Sequence, residues 1–207
     1  MKKGFTIIEV LVTMGIIAIL VAVSLGGFSA ATKSAEKAKC SELVSNVATA
    51  MTAVYQQTGR WPKRLAALGE TGGRLDANAA FAFVSGGVKY LSLSVNDAGT
   101  ALSGVDKFGI VTPWAADAIR KAGAGASLAT AVGVTGASVE DHVLWAAVDV
   151  DGDGLIQGAS VGGESVDVRA SAIVWCAGKD GVMAPYSRGL RADDIYSWSK
   201  GQATGVK

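Results

Sequence analysis

The residues whose types and spacing suit chemistry are few. Asp149-Val150-Asp151-Gly152-Asp153-Gly154-Leu155 sets carboxylates at alternating positions, with glycine available for a sharp turn. That is the first half of a calcium loop, in which hard oxygens converge on one ion. Asp149, Asp151 and Asp153 are its candidate ligands. The bidentate Glu that closes a full loop is missing, because Ser160 takes its place. The same residues also read as a solvated Asp-Gly turn. Gly158-Ala159-Ser160-Val161-Gly162 matches the Gly-x-Ser-x-Gly nucleophile elbow. That motif requires a buried strand before it and a histidine after it. Here an Asp-Gly loop precedes it and the sole histidine, His142, comes earlier, so a Gly-rich turn is expected and no enzyme. His142 itself is expected where a strand starts. Two further features stand out: a single carboxylate, Glu9, inside a long apolar run, and two cysteines, Cys40 and Cys176.

The elements that position these residues follow from composition and periodicity. The chain has 207 residues, with 19 basic and 18 acidic side chains. That length suits one domain with a substantial core. The balance gives no basic excess, so nucleic acid is not an expected partner. One His and 2 Cys exclude zinc clusters and disulfide-dense scaffolds. The apolar excess is concentrated from Phe5 to Phe28, which are 24 residues with one charge, Glu9. As a helix this run is about 36 Å long, against a bilayer core of about 30 Å. Lys2 and Lys3 precede it, and Lys33, Lys37 and Lys39 follow it, so charge leaves its orientation open. A cleaved signal peptide would have a shorter apolar region without a carboxylate. A plain signal anchor would leave Glu9 unexplained, since an ionisable group at membrane depth costs about 2.5–3.5 kcal/mol and normally has a partner.

No proline occurs between Phe5 and Trp61. Beyond the apolar run, Cys40, Val44, Val47, Met51 and Tyr55 fall at steps of four or three and mark one helical stripe. The spacing predicts a helix continuous to Thr58, ended by Gly59 and Pro62. Residues 29–58 form its amphipathic half, and Gly26-Gly27 is its weakest point. Strands are expected at Phe81 to Val84, Lys89 to Val95, Val143 to Val148 and Val166 to Cys176. A short helix is expected from Pro113 to Lys121, with Thr112 as its N-cap. A long helix followed by antiparallel strands makes the fold class α+β, with a sheet laid on the helix.

Met1-Lys2-Lys3-Gly4-Phe5-Thr6-Ile7-Ile8-Glu9-Val10 resembles the N-terminal signature of type IV pilins and type II secretion pseudopilins. The resemblance implies a leader of residues 1–4, cut after Gly4 by a prepilin peptidase, and N-methylation of Phe5. It implies a membrane and filament-core helix at 5–28 and a globular head at 29–207. Glu9 would then set assembly register against the charged amine of a neighbouring subunit. Tyr55-Gln56-Gln57-Thr58-Gly59-Arg60-Trp61-Pro62 is similar to the helix exit of pseudopilins. The C-terminal Gly178-Lys179-Asp180-Gly181 and Asp193-Asp194-Ile195-Tyr196-Ser197-Trp198 are similar to the end of a major pseudopilin. There the family's loop binds calcium, so Asp180, Asp193 and Asp194 become candidate ligands. Arg188 and Arg191 stand inside this chain's longer loop. From Glu140 to Asp194 there are ten acidic and four basic residues, which agrees with cation binding.

The resemblance also implies partners: further copies of this chain in a helical homopolymer, the prepilin peptidase, an inner-membrane assembly platform and minor pseudopilins. It places the chain as a single-pass protein of the bacterial inner membrane with its head in the periplasm. The filament would be a secretion pseudopilus or a surface pilus. Cys40 lies on the stripe that faces the sheet, and Cys176 ends a strand on the same side as Ala172 and Val174. In an oxidising compartment two such cysteines tend to pair. A disulfide and two buried thiols are both open. A different class of function, a membrane-anchored binding or adhesion protein, also fits, because the Gly- and Ala-rich middle from Leu75 to Val139 resembles nothing familiar.

Overall fold

The structure is a computed structural model and describes residues 6–75, 84–85, 88–89, 109–122, 142–178, 181–188, 194–199 and 201–206. The chain falls into two units, Met1–Ala38 and Lys39–Lys207.

Helix α1 runs from Ile7 to Thr58 without interruption, as the absence of proline predicts. It stops at Gly59, whose backbone is left-handed with φ 66° and whose N–H donates to the Tyr55 carbonyl at 2.8 Å. This is a common way to end a helix, since glycine adopts that conformation without a Cβ clash. A single turn, α2 (Lys63–Ala66), follows Pro62.

Within the unit Lys39–Lys207, the first sheet has the order β1-β4-β7-β8. Its strands are β1 (Gly73–Arg74), β4 (Trp145–Val148), β7 (Ala172–Cys176) and β8 (Ile195–Tyr196), all antiparallel. A second sheet joins β5 (Ile156–Val161), β6 (Glu164–Val168) and β9 (Ala203–Val206). A small hairpin pairs β2 (Val84–Ser85) with β3 (Val88–Lys89). Helix α3 spans Pro113–Ala122. The α+β class with antiparallel sheets is therefore the observed architecture.

Side-chain alternation explains the layers. Ala146, Val148, Val174 and Cys176 join Cys40, Val44, Val47, Met51 and Val54 of α1 in one core. Ala147, Ile173 and Trp175 point the other way and join Ile156, Ala159, Val161, Val166 and Val168 in a second core. All five residues of β7 are buried, so this strand has no solvent face.

The long strand expected from Val166 to Cys176 is in fact two strands in two different sheets, β6 and β7. The break at residues 169–171 carries neither Gly nor Pro, and the single Ser171 is a weak turn signal. Thr112 does not cap α3 through its side chain: its hydroxyl is buried with no hydrogen-bond partner among the described residues. Its carbonyl accepts the Ala116 N–H at 3.0 Å and its own N–H donates to the His142 carbonyl at 2.8 Å. The residues read as strands at 81–83 and 90–95 lie outside the described residues.

Met51 is fully buried in the helix-facing core, whereas Asn46 is exposed on the opposite side of the same helix. Met51→Ala is expected to cost about 2–5 kcal/mol, and Asn46→Ala less than about 0.5 kcal/mol, both measured by urea unfolding.

Candidate functional site

Gly4 and Phe5 lie outside the described residues. Glu9 sits in the first turn of α1, where its N–H donates to the Thr6 hydroxyl at 3.3 Å. The Thr6 hydroxyl lies 3.5 Å from the Glu9 carboxylate. Thr6-x-x-Glu9 thus has the spacing and polarity of a capping box. Around it the apolar side chains face outward: Ile7 is 87% exposed and Leu11 68%. Exposure of this kind continues to Leu20 and Val21. A contiguous apolar surface of this length marks contact with lipid or another protein. Among the described residues no helix is long and apolar enough to cross a membrane. The side chains of residues 23–30, which include the end of the stretch 5–28 read as membrane-crossing, lie outside them.

The acidic loop connects β4 of the first sheet to β5 of the second. Asp149 is its organiser. One carboxylate oxygen accepts the Gly152 N–H at 2.7 Å and the other accepts the Gly154 N–H at 2.8 Å. Asp153 accepts the Leu155 N–H at 2.7 Å in a second, local turn. Glu70, from the segment before β1, joins the loop: its carboxylate accepts the Gln157 N–H at 3.0 Å. Carboxylate oxygens of Glu70, Asp149 and Asp151 all lie within 4.8 Å of one another. The structure thus brings Asp149 and Asp151 together with a residue that the sequence reading missed. Nothing near Glu70 in the sequence signals it, because the partner loop is far along the chain. The loop is also anchored from the helix exit. Trp61 donates its indole N–H to the Asp149 carbonyl and stacks on Tyr55 with ring centroids 4.7 Å apart.

At the C-terminal segment, Asp180 and Asp193 lie outside the described residues. Asp194 is buried, and its carboxylate accepts the N–H groups of Gly178 and Ala184 at 3.3 and 3.2 Å. It therefore clamps the chain after β7 to the stretch beyond it. Gly181 has φ 66°, and a Cβ there would sit 2.9 Å from the His142 ring nitrogen, so only glycine fits. The Ser-Trp ending is equally built in. Ser197 exchanges two bonds with Val174, donating its N–H to the carbonyl and accepting the N–H on its hydroxyl, both at 2.9 Å. Trp198 packs edge-on against Trp175 with centroids 6.0 Å apart. Burial first, then the Asp194 carboxylate, push the Tyr196 hydroxyl up from its ordinary value.

Ser160 stands inside β5, opposite Ser165, and its N–H donates to the Thr71 carbonyl at 2.9 Å. His142 is buried immediately before Val143, which bridges to Val111. Cys40 and Cys176 are both fully buried, with sulfurs 3.1 Å apart. The hydrogen bond to Cys40 first, and burial second, raise the Cys176 thiol well above its usual value.

The chain thus has a long N-terminal helix with a lone glutamate in its apolar first turns, one antiparallel sheet packed on the helix and a second sheet behind the first. The arrangement is consistent with the pilin fold. A family model, the prokaryotic N-terminal methylation motif, matches residues 1–25. The chain thus carries this motif, consistent with the type IV pilin-like family, and the motif implies processing by prepilin peptidase. No curated protein and no solved structure matches the chain.

Asp194→Ala is expected to strand the Gly178 and Ala184 N–H groups at a cost of about 1–3 kcal/mol, with Asp194→Asn recovering part of it, measured by urea unfolding. Faster proteolysis within residues 181–188 should accompany the loss.

Proposed function

We propose that this chain is a structural filament subunit of the type II secretion pseudopilus. In this reading it enters the bacterial inner membrane as a precursor, is cut after Gly4 and is methylated at Phe5. It then joins a helical homopolymer in the periplasm through the apolar half of α1. An assembly platform in the membrane and minor pseudopilins complete the machine. The Ser-Trp ending and the helix exit at Tyr55 to Pro62 favour the secretion pseudopilus over a surface pilus.

The observation that carries the reading is Glu9. It is the single carboxylate of the apolar run from Phe5 to Phe28, flanked by exposed apolar side chains and inside a match to the methylation motif. An apolar surface of this kind suits lipid before assembly and neighbouring subunits after it. Once the leader is removed, the first amine of an incoming subunit lies at the depth of a neighbour's Glu9. At about 4 Å such a pair is worth on the order of 4 kcal/mol at an effective dielectric of 20. Two desolvation costs oppose it, so the pair acts on register more than on net adhesion. A subunit out of register leaves both charges unpaired.

Calcium belongs to the same proposal. Glu70, Asp149 and Asp151 offer hard oxygens from two segments, and the backbone bonds of Asp149 use only part of its acceptor capacity. An ion there would join the segment before β1 to the loop between the sheets.

Mass spectrometry of the native protein from membranes should find an N-terminal methylated Phe5. Glu9→Ala should leave cleavage intact and abolish filaments in electron micrographs; normal filament yield from this variant would sink the register argument. Millimolar calcium should raise the thermal midpoint of the full chain in detergent, and Glu70→Gln should remove most of that rise. An unchanged midpoint would eliminate the ion.

A further inference from the structure

Cys40 and Cys176 are the two cysteines of the chain, 136 positions apart, and the fold sets their sulfurs 3.1 Å from each other. Cysteine often occupies cores as a small apolar residue. That habit accounts for burial of each one separately, and says nothing about adjacency. Here one residue opens the buried stripe of α1 and the other closes β7. Their contact is a thiol–thiol hydrogen bond, a weak interaction for so central a position.

We propose that Cys40 and Cys176 close into a disulfide that ties α1 to the central strand β7. The inference rests on the extracytoplasmic head of the reading above, because such bonds persist in oxidising compartments. The oxidant is a protein dithiol–disulfide donor of that compartment. One cysteine thiolate attacks the donor disulfide and expels a donor thiolate. The second cysteine thiolate attacks the resulting mixed disulfide and expels the other donor sulfur. The two cysteines lose two electrons and two protons, and the donor disulfide is reduced to a dithiol.

Burial sets the timing. Both sulfurs are inaccessible in the folded head, and the thiolate, not the thiol, is the nucleophile. Closure therefore accompanies folding, while the sheet is still settling on the helix. Once made, the bond is shielded from reductants, which makes it a permanent clasp and not a switch. Closing so long a loop restricts the unfolded chain strongly.

The test traps thiols in cells exporting the full chain. Cells are quenched in acid, and denatured protein is treated with a maleimide–polyethylene glycol reagent. The expected result is no adduct before reduction and two after it. In parallel, purified full chain in detergent is reduced, unfolded and refolded with oxidised glutathione. Refolding should give the same closed form, with a thermal midpoint about 5–15 °C above the reduced form. Cys40→Ser and Cys176→Ser should each abolish that difference. Protease digestion of intact spheroplasts reports the placement of the head independently. Two adducts without reduction, from a head that is protease-accessible, would overturn the disulfide and leave the placement standing. Two adducts from a protected head that closes on refolding would overturn the placement, and with it the disulfide in cells.

Discussion

The two cores of the unit Lys39–Lys207 meet at a strand with no solvent face. β7 alternates Ala172, Val174 and Cys176 toward the helix with Ile173 and Trp175 toward the second sheet. A strand buried on both sides forces a layer onto each face, since neither set of side chains can be left in water. The amphipathic half of α1 supplies one layer and β5, β6 and β9 supply the other. The same strand then collects the chain's distant ends. Cys40 meets its last residue, Ser197 bonds to its middle, and Trp198 packs on Trp175.

The short segments that carry the family likeness have a common physical purpose here. Gly59 ends the helix and lets Trp61 reach the Asp149 carbonyl, so the helix exit and the acidic loop form one piece. Gly181 lets the backbone pass against the His142 ring, and Asp194 holds the loop on either side of it. Each segment fixes a long-range junction with one indole, one carboxylate or one missing Cβ.

The legibility of the chain follows from locality. The helix was legible to its end, because a 3.6-residue stripe and the lack of proline are local signals. The strand β4 was legible for the same reason, as a short apolar run. The two-sheet arrangement was not. A run such as Val166 to Cys176 looks like one strand when its break lacks Gly and Pro, and burial on both faces removes the alternation that would assign sides. The acidic loop was legible as a loop from Asp and Gly, but Glu70 was not, because its place beside Asp149 is a product of tertiary packing. Thr112 has the right type for a cap, yet packing buried its hydroxyl and left the backbone to close the turn.

The core between α1 and β7 joins residues that leave the ribosome far apart. Val44 and Met51 are made early, and Val174 more than a hundred positions later, with the second sheet completed only by β9. Contacts of such long sequence separation make for slow folding, since loop closure must precede any gain from packing. During that interval the apolar stripe of α1 has no internal partner. A chain built in this order is most vulnerable to aggregation while its last third is still being delivered, so its yield is governed by the rate of late folding as much as by final stability.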